Sequence, residues 1–548
     1  MYRSYVATGF YARLVGLSGI SMSKHPLDTP VPSTGLSENA ADSWARFGPL
    51  WNARRLVLIA FLIGVIVMVF YKPFDRPEVR DPPIYDYVAQ SILRGQLPYR
   101  DVIDIKGPGS QYLSAAAISV GRAFDVRDVF AIRALHVILV GLLSAITFLV
   151  ANIYLSTRVA SAIAFLIPLL REPIAKEFIG GTQPKLPMII FGLLTLLMIA
   201  KDRPLAAGTF SMLSCLCWQP GLLFTGTAVL IFSRYFTSWR DMKVLKVLAG
   251  AIIPLAIVLG YFLSKGALGD LWAWTITYNY SVFGPEAGPA LGTAINRIWV
   301  ISRRVFEKEI LVVLVGALGL ALFLFERARE RVRGRAALES PDLFRDAIVF
   351  PPLIYFAFML INFQGPPDLI PLVPFVGIFA GWLVVRFGRL AGSIAPLRKL
   401  SQPFASEVLG VGVLVVAVAV VFVRAGKFEL RGLKLQDQDA AMQLLRERLE
   451  PGDKIYIHGA VEVLVLLNTP NLNPYVDFDW GKDDFAASRR GVRFQDFINE
   501  MEAQAPKYVA ISRLRKVYHR KELEQWVNEH YERLDLLKYK KLYVRKRS

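Results

Sequence analysis

Apolar runs of about 15–22 residues recur through this sequence, and short Arg/Lys clusters punctuate them. A helix of that length crosses a hydrocarbon core of about 30 Å. Lipid offers no hydrogen bonds, so each run must satisfy its own backbone groups, which a helix does. The runs therefore predict a polytopic α-helical membrane protein with about eleven spans. They are Leu56–Tyr71, Phe130–Leu155, Val159–Leu170, Leu186–Ala200, Leu205–Gln219, Gly221–Phe232, Val244–Leu263, Ile310–Phe325, Ala347–Ile361, Leu369–Val385 and Glu407–Val423. Pro220 between two runs implies a tight hairpin or one kinked helix.

Basic residues gather in cytoplasmic loops. With the N-terminus inside, every strongly basic short loop falls on one side: Arg158, Lys201/Arg203, Arg234–Lys246, Glu326–Arg335 and Arg386–Lys399. Loops 72–129, 171–185, 264–309 and 362–368 face the other side. Reading Ser110–Phe124 as a span would invert this pattern, so it is expected to be an interfacial helix. Residues 1–55 read as a cytoplasmic leader and 56–425 as the membrane domain. After Arg424 the patterning turns soluble, so 426–548 is expected to be a small extracytoplasmic α/β domain. Its expected strands are Lys454–His458, Lys507–Ser512 and segments of Leu534–Arg545. Its expected helices lie in Asp437–Leu449, Phe485–Ala503 and Lys521–Tyr531.

Composition fits this plan, with 54% hydrophobic residues and a mean hydropathy of +0.40. The net charge of +19 follows from basic loops beside anionic headgroups, and no nucleic-acid signature accompanies it. Cys215 and Cys217, spaced i, i+2, do not face each other on a helix. The five histidines are scattered, so neither a disulfide nor a zinc site is expected.

The densest chemistry lies in the loop after the first span, Asp75–Leu113, which crowds Asp, Arg and Lys beside a membrane surface. Its ordered residues are Asp81, Tyr85, Ala89, Gly95, Pro98, Tyr99, Asp101, Asp104, Lys106, Pro108 and Gly109, followed by Arg133 at the head of the next span. This order resembles GT-C-type membrane glycosyltransferases. Among them are the dolichyl-phosphate-mannose protein mannosyltransferases and the bacterial lipid A aminoarabinose transferases. The close match covers about 50 residues. Pro82 and Pro83 stand where the family commonly has Glu and Gly, and Gly107 stands where it has Pro. The Trp-Trp-Asp motif of oligosaccharyltransferases is absent. The nearest stretch, Leu271–Trp274, has no Asp.

The resemblance implies an inverting transfer of mannose or a similar sugar from a polyprenyl-phosphate donor to a protein, lipid or glycan acceptor. Asp81 would be the general base. Lys106 and Arg133 would bind the donor phosphate, and cations there stabilise the charge of the leaving group. Tyr85, Asp101 and Asp104 would line the substrate site, with Glu177 and Gln183 from the loop Arg171–Lys185 opposite. No cofactor is required, and a divalent cation is possible but not implied. The implied location is a bacterial inner membrane with a periplasmic site, or else the ER membrane with a lumenal one.

Read without the resemblance, Asp81 is a solvated carboxylate, Lys106 and Arg133 are snorkelling anchors, and Asp104 is a turn cap. Asp86 reads as a surface residue, and Trp272/Trp274 as an interfacial belt. Two other functions compete. A transporter or flippase of lipid-linked sugars would place acids at mid-membrane, and the spans are nearly free of them. An envelope glycan polymerase or ligase would carry its large loop late in the chain.

Overall fold

The computed structural model describes residues 53–155, 157–169, 172–233, 242–283, 289–332, 343–391, 403–512, 514, 516–535 and 541–546. Most of the expected leader, and parts of the basic loops 234–246, 326–335 and 386–399, lie outside the described residues.

Apolar sequence becomes helix throughout. The elements are α1 (Ala53–Phe70), α2 (Pro82–Leu93), α3 (Gly109–Ala123), α4 (Asp128–Leu155), α5 (Arg158–Leu166), α6 (Glu172–Ile179), α7 (Lys185–Ala200), α8 (Pro204–Cys217) and α9 (Leu222–Ser233). Then follow α10 (Lys243–Ser264), α11 (Leu268–Trp272), α12 (Tyr278–Phe283), α13 (Leu291–Phe306), α14 (Ile310–Val332), α15 (Leu343–Asp346), α16 (Phe350–Ile361), α17 (Val373–Ala391) and α18 (Pro403–Gly426). Among the described residues, six stretches are long and apolar enough to cross a membrane: 54–75, 128–155, 243–264, 291–330, 344–361 and 366–388. The other five expected spans fall on shorter apolar helices.

The Pro220 ambiguity resolves as a hairpin. The turn Gln219–Gly221 folds α9 back along α8, so that Thr225 donates to Ser211 at 2.8 Å. A side chain at Gly221 would collide with the Ser214 backbone, which is how tightly the two helices close. α5 is short because it is not a lipid-facing span. Val159 through Leu166 are all buried, packed between α4 and α17. The loop expected over 264–309 is instead mostly helical. α11 and α12 flank a π-helical turn, and α13 runs into α14 through a bend at Glu307, where φ is +47°.

The C-terminal part is α/β. After α19 (Leu435–Arg446), β1 (Ile455–His458) leads to α20 (Glu462–Leu467), α21 (Lys482–Arg490) and α22 (Phe494–Ala503). β2 (Tyr508–Ile511), α23 (Arg520–His530), β3 (Tyr531–Leu534) and β4 (Leu542–Arg545) complete it. The sheet order is β1-β2-β4-β3, with β1 parallel to β2 and the other pairs antiparallel. β1 and β2 are buried along their whole length and carry apolar residues almost continuously, as central strands do.

This domain shares its core with the loop after α1. Ile84, Tyr85, Tyr87 and Val88 of α2 pack with Leu435, Met442, Val461 and Leu464. The Ile103 amide donates to the Pro474 carbonyl at 3.0 Å, and the Tyr278 hydroxyl donates to the Trp480 carbonyl at 3.0 Å. Trp274, read as half of an interfacial belt, is 1% exposed and packs against Tyr475 and Phe485 of the domain. Trp272, its neighbour on the opposite face, is exposed.

Candidate functional site

The site forms where loop 72–108, the segment 172–185 and the end of α8 meet. Asp81 is the N-cap position of α2, is exposed, and follows Arg80 in a left-handed conformation (φ +65°). Arg80 donates to Glu177 of α6 at 2.9 Å. Burial pushes the Glu177 carboxyl up, while Arg80 and Lys185 oppose the shift. Asp81 lies within electrostatic reach of both Glu177 and Lys106.

Lys106 is held by its neighbours' backbone. The Tyr99 hydroxyl donates to the Lys106 carbonyl at 2.7 Å. Gln219 and Asn279 donate to the Ile105 carbonyl at 2.9 and 2.8 Å. Gly107 sits against the end of α8, where any side chain would strike the Leu216 carbonyl. A proline ring would meet the same obstacle, which accounts for glycine in the turn. Burial and the nearby Lys185 push the Lys106 ammonium down to about 8. The ammonium stands 5.6 Å from the centre of the Trp218 ring.

A cavity of about 620 Å³ opens at Lys106 and Trp218. Gln219, Asn279, Asn362 and Gln364 add polar groups, while Leu222, Leu223, Ile354 and Phe358 make an apolar wall. The cavity thus has one cationic spot on a mostly apolar lining, the layout suited to an anionic headgroup with a hydrocarbon tail.

The other expected site residues are engaged elsewhere, although Asp104 also lies within electrostatic reach of Lys106. Asp104 caps its own turn, accepting from the Ile105 and Lys106 amides at 2.6 and 3.3 Å and from the Gln111 side chain. Asp101 accepts from the Leu97 amide at 2.8 Å and pairs with Arg100. Tyr85 is buried in the core that α2 shares with the C-terminal domain. Gln183 is buried, and its amide donates to His136 at 3.0 Å.

Arg133 departs most from expectation. It is fully buried, donates to the Pro73 carbonyl at 2.9 Å, and pairs with the equally buried Glu78 at 2.5 Å. Its charge is already paired within the protein, and it is not among the residues that line the cavity described above. Asp86, expected at the surface, is 1% exposed and accepts from the Thr182 amide at 2.8 Å. It also meets Glu78. Burial and the Glu78 charge push the Asp86 carboxyl well above the usual carboxylate range. Two carboxyls and one guanidinium balance when the pair keeps one proton.

Sequence reasoning missed Lys185, Trp218 and Asp368. Lys185 pairs with Asp368 at 3.0 Å and lies 4.6 Å from the Trp218 ring centre. The signal for Lys185 was its place at the end of the second site loop. Asp368 is the lone acid of the loop 362–368. Among the described residues, no group of three or more His, Cys, Asp or Glu side chains is placed to hold a metal ion.

No protein-family model and no curated protein sequence matches the chain. Solved structures do match in fold. ArnT from Cupriavidus metallidurans bound to undecaprenyl phosphate aligns over 90% of this chain and 98% of its own, with a TM-score of 0.57 and 11% identity. The apo state of the same protein gives 0.52 over 92% and 98%, with 12% identity. The Archaeoglobus fulgidus oligosaccharyltransferase tethered to an acceptor peptide gives 0.51 over 92% of this chain and 75% of that one, with 12% identity. The architecture, a polytopic helical bundle carrying a C-terminal domain, is therefore a GT-C-like fold.

Proposed function

We propose that this protein is an integral-membrane glycosyltransferase that takes its sugar from a polyprenyl-phosphate donor. The observation that carries the reading is the cavity headed by Lys106, with Asp81 in electrostatic reach of that cation. The fold likeness to a protein bound to undecaprenyl phosphate supports the same donor class.

The polyprenyl tail follows the wall of Leu222, Leu223, Ile354 and Phe358, and the phosphate meets Lys106. An acceptor hydroxyl oxygen attacks the anomeric carbon, and the carbon–oxygen bond to the phosphate breaks. The electron pair stays on the phosphate oxygen. Asp81 takes the hydroxyl proton, and the anomeric configuration inverts. Lys106 offsets the charge that develops on the leaving group. Arg80 pairs with Glu177 beside Asp81 and keeps that second carboxylate from repelling it. Mannose or a similar sugar fits the motif, with a protein, lipid or glycan acceptor. We place the site on the periplasmic face of a plasma membrane with the N-terminus inside.

The test is sugar release or transfer from a panel of polyprenyl-phosphate sugars by purified protein, wild type against Asp81→Asn. Asp81→Asn should lose about 10²–10⁴-fold in rate while keeping its fold and its donor affinity. Equal activity of the variant removes Asp81 as the base. Inactivity of wild type toward every donor, with acceptors supplied, sinks the enzyme reading and favours transport.

A further inference from the structure

Resting on the reading above, the charge at the cavity head has to change during the reaction. The donor is a phosphodiester with one negative charge, whereas the released polyprenyl phosphate is a monoester carrying close to two near pH 7. Lys106 alone matches the first state only.

A second ammonium stands beside the same indole. Lys185 is 4.6 Å and Lys106 is 5.6 Å from the centre of the Trp218 ring. Trp218 itself is 6% exposed and lines the cavity. Lys185 rests on Asp368 Oδ1 at 3.0 Å. The other oxygen of Asp368 accepts the Gln364 and Gly365 amides at 2.6 and 3.2 Å, so the carboxylate stays anchored if the lysine turns away. Gln364 lines the cavity as well, which puts the Asp368 loop at its edge. In the resting site Lys185 is held by Asp368 at ion-pair distance, whereas Lys106 has no carboxylate at that distance among the described residues and feels Asp368, Asp104 and Asp81 only from further off.

We propose that Lys185 is a second phosphate-binding cation, held by Asp368 at rest and drawn onto the phosphate as the leaving group gains its second charge. The sugar–phosphate bond breaks with its electron pair going to the phosphate oxygen. That oxygen then outcompetes Asp368, because a dianion attracts an ammonium more strongly than one carboxylate does. The indole ring holds both ammonium groups in place without neutralising them. Lys185 thus supplies the leaving-group stabilisation expected of Arg133.

The test compares two short-chain ligands on the full-length protein in detergent, farnesyl phosphate and its methyl phosphodiester, near pH 7. Wild type should bind the monoester more tightly. Lys185→Ala leaves Asp368 short of a partner, so the double variant Lys185→Ala/Asp368→Asn is measured beside it. Both should lose monoester affinity by roughly tenfold to a hundredfold, with diester affinity changed less than about threefold. A preference that survives in both variants makes Lys185–Asp368 a structural pair and overturns this inference alone. Equal losses for both ligands also overturn it, since the lysine then does not discriminate charge. Failure of wild type to bind either ligand overturns the donor reading and this inference together.

Discussion

Two clusters of acids and cations flank the same short loop, and they are built in opposite ways. Around Glu78, Asp86 and Arg133 every charged group is buried, and the partners are fixed by backbone as well as by side chains. Around Lys106 and Lys185 the cations stand against one indole ring, Trp218, which with Lys106 lines an open cavity. In the first cluster the guanidinium already has its carboxylate. The second leaves one ammonium without a carboxylate at ion-pair distance among the described residues and holds the other by a single carboxylate. Residue type does not distinguish the two. What separates them is whether protein already supplies the countercharge.

The largest expected effect tests the buried cluster. Arg133→Met leaves Glu78 without its cation in a dry site, and should cost about 3–5 kcal/mol of stability. Thermal unfolding of the purified protein in detergent measures this. A change below about 1 kcal/mol would mean that water reaches the cluster, and the contrast between the two clusters would disappear.

A smaller effect tests the wall between them. Gly107→Ala forces a methyl group into the Leu216 carbonyl, so either the turn or α8 must shift. The expected cost is about 1–3 kcal/mol. Farnesyl phosphate affinity should fall with it, because Lys106 is displaced. Stability lost without any loss of affinity would separate the turn from the site.

The smallest effect sharpens the open cluster. The Lys106 ammonium, brought down to about 8, is charged below that pH and neutral above it. Anion binding should therefore be full below pH 8 and weaken as pH rises through 8, by up to about tenfold per unit. Lys106→Arg should abolish the weakening between pH 8 and 10. A flat wild-type profile over that range would show that Lys106 does not meet the anion.

How much of this was legible in the sequence follows from the range of the interactions. The hydropathy of Leu56–Tyr71 or Val244–Leu263 is a local property, and each run becomes a helix. KIYIH and KYVAIS become strands for the same reason. Asp86 was misplaced because its burial depends on Thr182, 96 residues away, which closes over α2. Arg133 looked like a site residue because position at a helix head is local information, whereas its partner Glu78 is 55 residues distant. Lys185 and Trp218 come together because α7 and α8 pack antiparallel, which sets the start of one helix beside the end of the other. Asp81 and Lys106, which residue order alone singles out, lie within electrostatic reach of each other, Lys106 in a turn built by the adjacent Gly-Pro-Gly.

Gln438 in α19 grips the backbone of Glu78 from both sides. The Glu78 amide donates to it at 2.7 Å, and its own amide donates to the Glu78 carbonyl at 2.9 Å. Gln438 is 0% exposed and lies 360 positions further along the chain than the residue it holds. The loop bearing Asp81 leaves the ribosome early, yet the residue that fastens it is translated only after α18. A nascent chain with all its helices inserted still has this loop unlatched. The loop therefore takes its latched form only after the segment that carries the last membrane helix has been made.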